Sequence, residues 1–188
     1  TWQSKDFETV IDNAIFRHNN TLSANGNLWY PFNTVSQTET GIFVLNYGHV
    51  TNIQQCVFNH IKYGIRSNAC FILRVQNNTF NQCEIGVSAR KYGTNMSSAS
   101  YILSNNFEDN YIAIQTDGEN TRIYRNNINR QSPDPFSYRW YNGYVTAGIL
   151  LRASSFPVGN TPWIMPLDNF IDNVRFGILQ ISNYSLGG

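Results

Sequence analysis

Lysine is nearly missing from this chain of 188 residues, with three Lys against ten Arg. Charge is sparse altogether: only 13% of residues are Asp, Glu, Lys or Arg, and thirteen bases against twelve acids leave a net charge of +1. Helical domains cover their surfaces with Lys and Glu, so this scarcity argues against helices. A balance near neutrality gives no field that recruits nucleic acid or an anionic membrane surface. Apolar runs extend only a few residues, far below the ~20 that a membrane helix needs, so no membrane insertion is expected. No charged-then-apolar leader follows Thr1, and a secretion signal is expected to have been removed or to lie outside this sequence.

Cysteine and histidine are equally few. Cys56, Cys70 and Cys83 form no CxxC and cannot all pair within one chain. His18, His49 and His60 do not stand at ligand spacing, so no structural zinc or other metal site is expected and the thiols read as small buried apolar groups. There is no P-loop, GxGxxG, HExxH or DxDxDG motif, so no cofactor is expected. The arginines are dispersed, without the basic-aromatic pattern of a nucleic-acid binder.

What the chain has instead is 26 asparagines and a repeat. An apolar residue, four intervening residues, a Phe and then Gly-Ile recur six times. The Phe column reads Phe16, Phe58, Phe80, Phe107, Ile128 and Phe170. Five residues earlier stand Ile11, Ile53, Val75, Ile102, Ile123 and Met165. A glycine column of Gly41, Gly64, Gly86, Ala113, Gly148 and Gly177 precedes Ile42, Ile65, Val87, Ile114, Ile149 and Ile178. Glycine there implies a positive φ or a close backbone approach at a bend. Successive members of this column are 23, 22, 27, 35 and 29 residues apart. A unit this short, made of alternating four- or five-residue segments, cannot bury its own apolar face; stacked identical units can. The reading is an all-β parallel solenoid of about six coils.

Before the Phe column come Asn78, Asn105, Asn126 and Asp168, then Asn106, Asn127 and Asn169. Asn suits a left-handed bend, and its amide can bond the equivalent Asn one coil away. This NNxF…GI phrasing resembles the right-handed parallel β-helix repeat of the pectate-lyase-like superfamily. Segments such as FNQCEIGVSARKYGTNMSSASYILSNNF resemble large secreted surface proteins of the Bacteroidetes, many exported by the type IX route. The resemblance covers about residues 11–183 and implies a secreted or cell-surface location. It bears on fold far more than on function, since the repeat hosts lyases, hydrolases, spikes and adhesins alike.

Two places are candidates for chemistry. Alternation along the Gly-Ile strand sends Phe43, Arg66, Ser88, Gln115, Leu150 and Leu179 outward, and likewise Leu45, Asn68, Arg90, Asp117, Arg152 and Ile181. Arg90, Asp117 and Arg152 then stand on adjacent coils. They form either a basic groove for an acidic sugar or a surface ion ladder worth about 0–1 kcal/mol per pair. No paired-carboxylate constellation of the kind glycosidases use is evident. The second place is a set of insertions, 17–40, 129–147 and 152–163. The first two leave the same corner of the repeat. They carry Trp29, Tyr30, Trp140, Tyr141 and Tyr144, and the third carries Trp163. Such rings are platforms for sugars, or else packing that covers Phe43, Leu150 and Leu179.

The expectation is therefore one parallel β-helix domain over residues 1–188, a segment of a longer protein with flanking domains or further coils at both ends. The leading function is non-catalytic binding of a glycan or a cell-surface partner, as adhesins do. A polysaccharide lyase or glycoside hydrolase fragment using Arg90, Asp117 and Arg152 is the alternative, and a structural stalk or spike segment is the third.

Overall fold

A strand as short as Val57–Asn59 has room for one inward side chain, and in this chain that position belongs to the Phe column. The computed structural model describes residues 8–17, 40–45, 50–68, 72–90, 100–117, 121–130, 147–153 and 164–182. Their regular structure is strand alone, arranged in three six-stranded parallel sheets. Sheet 1 contains β1 (Glu8–Asp12), β4 (Val50–Gln54), β7 (Ile72–Gln76), β10 (Ser100–Leu103), β13 (Thr121–Tyr124) and β16 (Ile164–Leu167). Sheet 2 contains β2 (Ile15–Arg17), β5 (Val57–Asn59), β8 (Thr79–Asn81), β11 (Asn106–Glu108), β14 (Asn127–Asn129) and β17 (Phe170–Asp172). Sheet 3 contains β3 (Thr40–Leu45), β6 (Tyr63–Asn68), β9 (Ile85–Arg90), β12 (Ile112–Asp117), β15 (Ala147–Ala153) and β18 (Phe176–Ser182). Each turn of chain adds one strand to every sheet, which is a right-handed parallel β-helix of six coils.

The predicted columns form the core. Phe16, Phe58, Phe80 and Phe107 stack nearly parallel, with centroids 5.0, 4.7 and 4.7 Å apart. That separation is the strand spacing itself, so register and ring stacking reinforce each other. Ile53, Val75, Ile102 and Ile123 are buried beside them, as are Ile65, Val87, Ile114 and Ile149. The large apolar side chains that remain exposed, such as Val10, Phe43 and Leu167, lie on the first and last coils.

The sixth copy is displaced by one residue from its sequence reading. Ile171, not Phe170, pairs with Ile128, and Pro166, not Met165, pairs with Ile123. Phe170 sits opposite Asn127 and is 60% exposed. The same slip moves Asn169 into the place expected for Asp168. Its Oδ1 accepts from the backbone N–H of Asn126 at 3.1 Å and from Asn126 Nδ2 at 2.9 Å.

Each coil turns from sheet 1 to sheet 2 through a two-residue bend. The left-handed residue is the first of the two: Asn13, Gln55, Asn77, Ser104, Arg125 and Asp168 all have φ between 52° and 58°. Asparagine is therefore not kept at the second position for its backbone tolerance, as the sequence suggested. It is kept for its amide. In the ladder Asn78, Asn105, Asn126 and Asn169, the oxygens of Asn105, Asn126 and Asn169 each accept two bonds from the preceding coil. Each Nδ2 also donates to a sheet 1 carbonyl, from Ile53 O to Ile123 O. A bend inside the solenoid would otherwise strand those backbone groups, at about 1–3 kcal/mol for each.

Cys56 is the continuation of this ladder, its N–H donating to Asn78 Oδ1 at 2.9 Å. Cys83 holds the equivalent place at the bend between sheets 2 and 3, where its N–H donates to Asn110 Oδ1 at 2.9 Å. Both thiols are buried and free. Burial pushes both thiols up, Cys83 to about 12. Cys70 lies outside the described residues.

The glycine column answers to close approach rather than to positive φ. A Cβ at Gly86 would lie 2.7 Å from Phe107 Cε1 and 2.7 Å from Ala113 O, and one at Gly64 would lie 2.6 Å from Phe80 Cδ1. Ala113, the exception, stands where the next coil carries Ile128 instead of a ring. A narrow gap lined by Phe107, Asn110, Ala113, Ile128 and Ala147 remains there.

Candidate functional site

The outer face of sheet 3 is assembled as alternation predicted. The pairing runs Asn68, Arg90, Asp117, Arg152 and Ile181 along one column, and Arg66, Ser88, Gln115, Leu150 and Leu179 along the next. Arg90, Asp117 and Arg152 are consecutive neighbours. Arg90 Nε lies 3.7 Å from Asp117 Oδ2, an ion contact longer than a hydrogen bond. Asp117 is only 6% exposed and Arg90 30%. A carboxylate so enclosed and already facing a guanidinium offers little access to a substrate proton, whereas the two arginines keep part of their surface.

Further along this face the column is apolar. Ile85, Ile112, Ala147 and Leu150 form a buried cluster separate from the main core, with Tyr63, Phe176, Leu179 and Ile181 packed against it. Leu150 is 1% exposed, while Phe43 on the first coil is 55% exposed. The face is thus apolar and closed in its middle, charged at one side, and open on coil one.

Among the described residues no group of three or more His, Cys, Asp or Glu is placed to hold a metal ion. Glu84, at the bend before β9, was not singled out in the sequence. Burial raises its carboxyl above the usual range, and the Lys62 charge opposes that shift. Asn110 was also missed. Its signal was present, since it lies three residues after Phe107 as Cys83 does after Phe80.

The insertions are placed by topology. The link 18–39 joins β2 to β3, and the link 130–146 joins β14 to β15. Because β2 and β14 share sheet 2 while β3 and β15 share sheet 3, both links leave the same corner. The anchoring strands β2 and β14 are separated by four strand steps, roughly 19 Å. The link 154–163 joins β15 to β16 and leaves the corner between sheets 3 and 1 instead. Strand residues Arg17, Thr40, Asn129, Ala147, Arg152 and Ala153 take up the margins of the insertions read from the sequence. Trp29, Tyr30, Trp140, Tyr141, Tyr144 and Trp163 lie outside the described residues.

No described helix is long and apolar enough to cross a membrane. Comparison of the chain with protein-family models, with curated proteins and with solved structures finds no match.

Proposed function

We propose that this chain is a non-catalytic β-helix scaffold, secreted or displayed on a cell surface, that binds a glycan or a partner surface. One observation carries the reading: the two longest aromatic insertions are anchored at a single corner of the solenoid. Loops held on a stacked frame make a binding edge whose residues can vary without disturbing the core. The repeat phrasing supports a place among pectate-lyase-like β-helices of the kind found in large Bacteroidetes surface proteins exported by the type IX route. The inward Ile178 of the last coil is 49% exposed, against complete burial of Ile149. We read that open side as a seat for a further coil or a flanking domain.

The test is a glycan array followed by Trp29→Ala and Trp140→Ala. Loss of the bound glycan in either variant supports the corner platform. Full retention in both rejects it and favours a structural stalk. A second reading, a lyase or hydrolase fragment, draws on the adjacency of Arg90, Asp117 and Arg152. Its mark is shortening of a polysaccharide that Arg152→Gln abolishes.

A further inference from the structure

The outer face of sheet 1 belongs to neither the insertions nor the Arg90 column. Its four central strands, β4, β7, β10 and β13, turn Thr51, Ile53, Leu73, Val75, Ile102 and Ile123 into the core. By alternation they turn Asn52, Gln54, Arg74, Gln76, Tyr101, Leu103, Arg122 and Tyr124 outward. These strands carry two arginines and no acid. An open depression of about 260 Å³, lined by Asn52, Arg74, Gln76, Tyr101, Leu103 and Tyr124, lies across them.

The pairing sets Arg74, Tyr101 and Arg122 on successive strands of one column. The two guanidinium-bearing positions are therefore two strand steps apart, roughly 9.6 Å, with the ring between them. The Arg122 guanidinium lies 5.6 Å from the Tyr101 centroid, a cation–π contact that limits its rotamers. Beside it Gln54 Oε1 accepts from Gln76 Nε2 at 2.9 Å and from Asn52 Nδ2 at 3.3 Å, which orients a row of amides along the face. Arg74 and Arg122 are both exposed, while Tyr101 and Tyr124 are half-buried.

We propose that this face is a docking surface for an acidic segment of a partner protein, with Arg74 and Arg122 each taking a carboxylate. The chemistry is that of protein interfaces: Tyr and Arg are the residues that anchor them, and Lys, Glu and Asp are depleted at their centres. A planar guanidinium held by a ring is suited to a bidentate carboxylate. The Tyr101 face beneath Arg122 is occupied by that guanidinium, so it gives a pyranose no stacking surface, whereas the row of amides can meet peptide N–H and C=O groups. Two arginines also neutralise too few phosphates to hold a nucleic acid strand firmly. The proposal does not depend on the corner insertions.

The experiment measures fluorescence anisotropy of a short labelled poly-L-glutamate against the intact chain, with labelled oligogalacturonate and single-stranded DNA in parallel arms. Saturable glutamate binding that weakens with added salt is expected. Arg74→Gln and Arg122→Gln should each reduce it about tenfold, the effect of one lost charge-assisted hydrogen bond. Arg122→Lys should fall between, because it keeps the charge and loses the fork. Trp29→Ala and Trp140→Ala should leave it unchanged, which separates this surface from the corner platform. The side chains of Arg74 and Arg122 point outward, so circular dichroism of their variants should show the same strand content. The proposal is overturned by absent glutamate binding, by binding that survives both Gln substitutions, or by preference for oligogalacturonate or DNA.

Discussion

Asn105 offers one oxygen to two donors of Asn78: its Oδ1 accepts from the backbone N–H and from Nδ2, each at 3.0 Å. Its own Nδ2 repeats the relation toward Asn126 Oδ1 at 3.0 Å. Asn105→Ala therefore strands the buried backbone N–H of Asn78 and one hydrogen of its Nδ2, which keeps only its bond to Ile53 O, and removes a donor from the carbonyl of Val75. The expected cost is about 2–5 kcal/mol, built from ~1–3 kcal/mol for each stranded buried group. Asn127, which bonds Asn106 Oδ1 at 2.8 Å on the exposed face of sheet 2, is the control. Asn127→Ala should change stability by no more than ~0.5 kcal/mol. Equal losses for the two variants in urea unfolding would contradict the ladder.

The glycine column supplies a coupled prediction. Gly86→Ala places a Cβ against Phe107 Cε1 and should cost about 1–3 kcal/mol by overpacking. The chain already accepts an alanine where Ile128 replaces the ring, at Ala113. In a Phe107→Ile background, Gly86→Ala should therefore be cheaper by roughly 1 kcal/mol, a coupling typical of residues in contact. Strict additivity in the double-mutant cycle would show that the ring is not what excludes the side chain.

The buried thiols predict both reactivity and pH dependence. Cys83 has its thiol raised from 9.0 to about 12 by burial. The folded state thus favours the neutral thiol, so this contribution is complete below pH 9.0 and is lost as pH rises toward 12. Stability of the wild type should fall relative to Cys83→Ala across that alkaline window and run parallel to it below. Thiol titration of the unfolded, unreduced chain should count three. In the native protein Cys56 and Cys83 should stay silent. Rapid native reaction at either, or a count of one after unfolding, would contradict this.

Much of the fold was legible because solenoid stacking turns each coil into a test of its neighbours. The Phe, Ile and Gly columns repeat at fixed offsets, and the register of Arg90, Asp117 and Arg152 follows from alternation alone. The sixth copy was misread because Asn169-Phe170-Ile171 presents apolar residues at both parities, so the phrase matches twice. A constant six residues from the Phe column to the glycine column, as from Phe58 to Gly64 and from Phe80 to Gly86, selects Ile171 before Gly177. The depth of Asp117 was not legible. Alternation gives direction, whereas burial depends on what covers the face. The left-handed bend position was missed because it stands one residue before the Asn column and varies in type, as Gln55, Asn77, Ser104 and Arg125. Only geometry separates the left-handed residue from the one that builds the ladder.

The central functional claim is that this solenoid binds without cleaving. The direct measurement is to incubate the protein with a panel of acidic and neutral polysaccharides, with divalent cations present, and to follow chain length together with retention on immobilised protein. The account predicts that a retained polysaccharide is recovered at full length, with no new reducing ends and no unsaturated uronate. Release of shortened products, lost on Arg90→Gln, Asp117→Asn or Arg152→Gln in variants that still fold, would contradict it.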